Sequence, residues 1–158
     1  MKHIIIAVFT LLSVGTSNSQ TKVYSGNSNY SGDIICNIKE SKLYKKNSNY
    51  SGDIICNISD NKIYNKNSSY SGDILYSISN GKIYKGNSNY SGDIIINIKD
   101  GKVYNKNSSY SGDIIMNIKD GKVYKGNSNY SGDILFTIND FVTIEEFVAI
   151  YHTFKYVY

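Results

Sequence analysis

Residues 94–105 read IIINIKDGKVYN. Two β-branched runs flank Asp100-Gly101, a dipeptide that tolerates positive φ at both positions, and that combination is the strongest short-range signal for a two-residue type I′ hairpin. Folding the stretch about that turn places Ile98 opposite Val103, Asn97 opposite Tyr104 and Ile96 opposite Asn105. Because side chains alternate along a strand, Ile94, Ile96, Ile98 and Val103 then share one face, which is the core face. Ile95, Asn97, Lys99, Lys102 and Tyr104 share the other, a mixed surface suited to water.

Outward from this hairpin the same pattern recurs with a period of twenty, in units 21–40, 41–60, 61–80, 81–100, 101–120 and 121–140. Lys stands second in every unit and Tyr fourth. Asn and Ser stand seventh and eighth, Tyr-Ser-Gly-Asp-Ile tenth to fourteenth, and Ile eighteenth. One strand column varies freely: the sixteenth holds Cys36, Cys56, Tyr76, Ile96, Met116 and Phe136. The turn dipeptide also appears as Asp120-Gly121, Asn80-Gly81 and Asp60-Asn61. Between hairpins the stretch exemplified by KGNSNYSGD is a wider loop of turn-forming residues. The isoleucines of columns fourteen and eighteen, Ile34 and Ile38, Ile54 and Ile58, Ile74 and Ile78, Ile94 and Ile98, Ile114 and Ile118, Ile134 and Ile138, are the expected interior.

Six hairpins supply about twelve antiparallel strands, and a twisted sheet of that size closes or splits. The expected fold is mainly β, a symmetric closed barrel-like sheet. Closure also removes edges that near-identical neighbours would otherwise use to aggregate. A ring of twelve strands is wider than the eight-stranded barrel that its own side chains fill, so something must occupy the middle. After Asp140 the repeat gives way to FVTIEEFVAIYHTFKYVY. Thr143 and Glu146 form a capping-box pair, and the following residues place Phe147, Ile150, Tyr151 and Phe154 on one apolar face. The spacing predicts an amphipathic helix over 143–158 that plugs or covers the ring.

These units, typified by KVYKGNSNYSGDILFTIND (122–140), together with the closing TIEEFVAIYHTFKYVY, resemble the β-flower repeat proteins, small secreted bacterial proteins built from symmetric hairpins. The likeness covers essentially the whole repeat region and tail. It implies a shallow symmetric barrel with hairpin petals and an apolar interior, and it carries over no activity and no catalytic residues. The pairing of a twelve-strand ring with a C-terminal helix is also similar to the tubby and phospholipid-scramblase architecture, a likeness of fold alone.

The first nineteen residues, MKHIIIAVFTLLSVGTSNS, have a basic start, an apolar stretch too short to span a bilayer, and Ser17 and Ser19 before Gln20. That order marks a cleaved secretory signal peptide and leaves residues 20–158 as one domain. Export is therefore expected, to the periplasm, the cell envelope or the medium. All 17 basic residues are Lys against 13 acids, so the charge is too slight and the forked guanidinium too absent for nucleic-acid binding. The chain has no Pro and no Trp but 16 Tyr, consistent with strands that keep every ladder donor.

Candidate chemistry is sparse. The column Asp33, Asp53, Asp73, Asp93, Asp113 and Asp133 would suit a ring of calcium-binding carboxylates, but a single Asp beside Ser and Gly is explained by a turn. The Tyr columns at positions four and ten offer aromatic platforms for sugars, with Tyr24, Tyr44, Tyr64, Tyr84, Tyr104 and Tyr124 as the ligand-facing candidates. The plainer reading is that they pack on half-exposed strands. Cys36 and Cys56 would lie about 9–10 Å apart in a meander, too far for a disulfide, and about 4.8 Å apart in a stacked solenoid, close enough for one. The meander reading expects two buried free thiols. His152 lacks a partner at any catalytic spacing, and no zinc, nucleophile-elbow or phosphate-loop pattern occurs. The expected function is non-enzymatic: a structural or interaction module outside the cytoplasm with no cofactor. Alternatives are a carrier of a lipid-like ligand or a membrane-associating module using an apolar interior, and glycan or cell-wall binding through the Tyr columns.

Overall fold

The computed structural model describes residues 20–158, so the signal-peptide expectation for 1–19 lies outside the described residues. Twelve strands run in chain order: β1 (Thr21–Ser25), β2 (Ile34–Lys39), β3 (Lys42–Lys45), β4 (Ile54–Ser59), β5 (Lys62–Asn65), β6 (Ile74–Ser79), β7 (Lys82–Lys85), β8 (Ile94–Lys99), β9 (Lys102–Asn105), β10 (Ile114–Lys119), β11 (Lys122–Lys125) and β12 (Ile134–Ile138). One helix, α1 (Ile144–Tyr156), follows. Every strand pairs antiparallel with its sequence neighbours, and β1 pairs with β12 to close the barrel.

Each hairpin has the register derived from its turn. Ile98 lies opposite Val103, Asn97 opposite Tyr104 and Ile96 opposite Asn105. Both turn residues have positive φ in five successive hairpins: Glu40 and Ser41, Asp60 and Asn61, Asn80 and Gly81, Asp100 and Gly101, Asp120 and Gly121. This is the type I′ conformation, whose twist matches that of the flanking strands. The cost falls unevenly. Glu40 and Ser41 hold φ of 51° and 58° with neither glycine nor an asparagine-like side chain to ease it. Replacing the pair by E40N/S41G is expected to raise stability by about 1–2 kcal/mol, read as a higher urea midpoint with an unchanged slope.

The seam between β12 and β1 copies a hairpin without a turn. Val23 lies opposite Ile138, Tyr24 opposite Thr137 and Ser25 opposite Phe136, the same columns that face each other inside every hairpin. Asn139 substitutes for the missing covalent link: its backbone N–H donates to Lys22 O at 3.1 Å, and its Oδ1 accepts from the Lys22 N–H at 2.7 Å.

Within each unit, across its wide loop, the ladder contains a β-bulge that alters the expected faces. Leu43 lies opposite Cys56 and Tyr44 opposite Ile54, so adjacent residues of β3 match residues two apart in β4, with Ile55 extra. The same shift recurs in the other five units. Cross-strand partners share a face, so Ile54 sides with Tyr44 on the outside, and Ile55 turns toward the core in its place. The column-fourteen isoleucines, expected inside, are therefore covered from without. Ile34, Ile54, Ile74, Ile94 and Ile114 are buried yet belong to no part of the interior cluster, and Ile134 is half-buried. In column eighteen Ile38, Ile78 and Ile138 are members of that cluster, and Ile58, Ile98 and Ile118 pack against it.

The helix fills the interior. Five consecutive residues, Phe147 to Tyr151, are each no more than 3 % exposed. Five residues at 100° apiece sweep the whole circumference, so the centre of α1 is covered on every side and sits within the ring. This differs from the one-faced amphipathic helix expected: Val148, Ala149 and Thr153 are buried with Phe147, Ile150 and Tyr151, whereas Ile144, Tyr156, Val157 and Tyr158 at the ends are exposed. The polarity gradient runs along the axis rather than around it. Its N-terminus carries the expected capping box, with Thr143 Oγ1 accepting from the Glu146 N–H and Glu146 Oε2 from the Thr143 N–H. The variable column sixteen faces this helix, and its variation follows: a six-fold wall must become irregular where it meets a single asymmetric rod. Phe136 meets Phe154 at 5.0 Å between ring centroids, and Tyr76 meets His152 at 5.5 Å.

Candidate binding face

In a meander of hairpins the tight turns gather at one end and the wide loops at the other. The helix enters at the tight-turn end, where Phe147 and Thr143 lie by Ile98 and Ile118. It ends among the wide loops, where Val157 and Tyr158 lie by Lys45 and Lys46. The wide-loop face therefore collects six near-identical loops around the C-terminal end of α1.

Each loop is held by its own side chains. In the second, Ser48 Oγ donates to Asp53 Oδ2 at 2.5 Å and accepts from the Tyr50 N–H at 3.2 Å, while the Asp53 N–H donates to Tyr50 O at 2.9 Å. The other five loops repeat this box. The carboxylate column is thus occupied within its turns, and among the described residues no three His, Cys, Asp or Glu side chains gather as a metal site. The loop is tied to the barrel by column seventeen. Asn37 Nδ2 donates to Lys46 O and Ser48 O, both at 2.8 Å. Asn57, Asn97 and Asn117 reach the matching serine carbonyls, Ser77 does so by its hydroxyl, and Thr137 bonds Gly26 O. This role was missed in the sequence, although the column admits only Asn, Ser and Thr while its neighbour admits anything apolar.

The two Tyr columns have opposite fates. Tyr44, Tyr64 and Tyr124 in column four are 8 % exposed and Tyr24, Tyr84 and Tyr104 half-buried, each laid against the outward isoleucine of its own unit. In column ten, Tyr30, Tyr50, Tyr70, Tyr90, Tyr110 and Tyr130 are 74–78 % exposed. Available aromatic surface thus lies in column ten rather than at the column-four positions nominated from the sequence.

Where the helix leaves the barrel, the symmetry breaks. An open cleft of about 460 Å³ is bounded by Leu75, Tyr76, Lys85, Ile95, His152 and Tyr156. His152 Nδ1 and Tyr76 Oη are 2.9 Å apart and share a hydrogen bond. Burial lowers the His152 pKa from its ordinary value near 6.5. A ring kept neutral in the fold but free to protonate when unfolded stabilises the protein fully above about pH 6.5, and that contribution is lost as pH falls below it. The unfolding midpoint is expected to drop between pH 7 and pH 5 by a margin that His152→Gln diminishes. Lys155 Nζ donates to Tyr151 Oη at 3.1 Å and lies over the Tyr156 ring at 5.1 Å, and this hydrogen bond raises the Lys155 pKa.

Cys36 and Cys56 are both buried and free, on strands separated by β3. Burial pushes the Cys36 thiol well up, with Cys56 adding to it, and pushes Cys56 up to about 12. Neither thiol is expected to react with Ellman's reagent at pH 8 in the folded state, and both should react at once in guanidinium chloride.

A closed barrel of six hairpins around a central helix, carrying near-identical loops on one rim, defines a class of symmetric repeat protein. A family model described as 6-fold beta flower protein matches residues 23–151, and the chain belongs to that family. No curated protein and no solved structure matches the chain. No helix among the described residues is long and apolar enough to cross a membrane.

Proposed function

We propose that this protein is a non-enzymatic, exported interaction module, acting at the cell envelope or outside the cell by presenting six copies of one loop on a rigid barrel. The observation that carries the reading is the division of labour within the repeat. Invariant columns build the rim loops, and the one freely varying column is spent on holding the helix. Active sites need different groups in different roles, and six equal loops supply one set of groups six times over. The charge, apolar run and small residues of 1–19 support export. N-terminal sequencing of the protein from envelope and medium fractions of its own host tests this: a start at Gln20 is expected, and an intact chain confined to the cytosol would overturn it.

A second reading, carriage of a lipid-like molecule, has one observation in its favour, the cleft beside Tyr76 and His152. The barrel interior itself favours the module, because α1 occupies the space such a ligand would need. Native mass spectrometry of protein from its own host separates the two: a retained lipid would place the cleft ahead of the rim.

A further inference from the structure

The six column-ten tyrosines have no packing role. None is in the interior cluster, each leaves about three quarters of its surface in water, and yet Tyr stands at all six positions. Their backbones are nonetheless fixed. Each Tyr N–H donates to the loop serine at 3.1–3.2 Å, and each Tyr carbonyl accepts from the loop aspartate N–H at 2.9–3.0 Å. All six share φ between −79° and −84° and ψ between 136° and 142°. An exposed aromatic on an ordered stem, with only two side-chain torsions to settle, loses little entropy when it binds.

What would bind is constrained by the neighbours. The Asn of column seven is exposed in every loop, and Asn47 and Asn49 flank the loop serine with amides that bond nothing else among the described residues. Charge is nearly balanced: seven lysines on the wide-loop side (45, 46, 66, 85, 106, 125, 155) stand against six aspartates already bonded to serines. An anionic lipid surface would call for a polybasic patch, and a protein partner for anchors seated in pockets. A flat phenol face beside neutral amides and hydroxyls suits the C–H-bearing face and hydroxyl rim of a pyranose ring. The tyrosines stand three-quarters exposed on their loops, so affinity is expected to come from several loops on one repeating ligand.

We infer that the wide-loop rim is a hexavalent binding surface for an uncharged polysaccharide, with Tyr30, Tyr50, Tyr70, Tyr90, Tyr110 and Tyr130 as its stacking platforms. The inference rests on the interaction-module reading and supplies its ligand class. The test is co-sedimentation of the chain from Gln20 onward with insoluble cellulose and with chitin. Three variants accompany it: all six tyrosines to Ser, three alternating tyrosines to Ser, and all six to Phe. Because these side chains lie outside the packed structure, each variant should keep the wild-type melting temperature.

The wild type is expected to pellet with at least one of the two polymers, in 1 M NaCl as in dilute buffer. The three-Ser variant should bind about tenfold more weakly and the six-Ser variant about a hundredfold or more, while the Phe variant stays within about threefold. Equal sedimentation of wild type and six-Ser variant would overturn the assignment. So would failure of the wild type to pellet with either polymer, or binding to phosphatidylserine vesicles in their place. Release of soluble reducing sugar from a polymer bound through these tyrosines would uphold the surface and sink the non-enzymatic reading. Absence of all polysaccharide binding would remove the ligand and leave the module reading standing.

Discussion

A chain ending at Asp140 is expected to lose cooperative folding. Without α1 the barrel would enclose water against Val23, Leu43, Ile63, Ile83, Val103 and Val123, all of which are fully buried. The helix core contributes Phe147, Val148, Ile150 and Tyr151, and burying such side chains stabilises by about 1.5–3 kcal/mol each. Their sum approaches the whole net stability of an ordinary domain. Strand pairing alone does not compensate, since isolated hairpins are marginal in water. The truncated protein should bind anilinonaphthalene sulfonate, show no sigmoidal urea transition and run as large oligomers by size exclusion. A monomeric truncation that melts within a few degrees of the full chain would show that the ring stands alone. A milder probe is Val148→Asp, which keeps the chain length but places an unpaired carboxylate at a position with no exposure.

The next largest effect is expected from Phe136→Ala. Phe136 is the bulkiest of the fully buried side chains and stacks at a tilt on Phe154, with β12 placing it beside the closing seam. Deleting a buried phenyl costs about 3–5 kcal/mol, the upper end applying where neighbours cannot collapse into the space. Here the wall is a closed ladder and the facing element a helix fixed at several points, so collapse is restricted. Chemical denaturation of Phe136→Ala, Phe154→Ala and the double variant forms a cycle. The double variant should fall short of the summed single losses, because the two rings share one contact. Simple additivity would mean that the rings are held by other neighbours.

The hairpins, their turns, their register and the need for a filler could all be read from the sequence, because a two-residue turn leaves one pairing and six copies leave no doubt about its extent. The bulge could not. Where the chain reads Ile94-Ile95-Ile96, a one-residue shift of face exchanges one isoleucine for another, and hydropathy is blind to the exchange. That shift also decided which tyrosines were free. It turned column fourteen outward to cover column four, and the exposed rim passed to column ten. The helix was legible as a helix, with its capping box, but the choice between plug and cover was left open and one apolar face was expected. The run Phe147-Val148-Ala149-Ile150-Tyr151 is apolar on all sides, which signals an enclosed rod rather than a one-sided lid. The lone polar column that holds the loops carried its own signal in the restriction to Asn, Ser and Thr.

The uncovalent junction of β12 with β1 has a consequence for how such molecules change in evolution. Any whole number of blocks ends in the same two complementary margins, so adding or dropping a block by unequal recombination leaves a chain whose ends still match. What counts the blocks is the girth of the rod they must embrace. Lineages should therefore alter copy number and tail bulk together, and a graft of a slimmer tail is expected to favour a five-block circle.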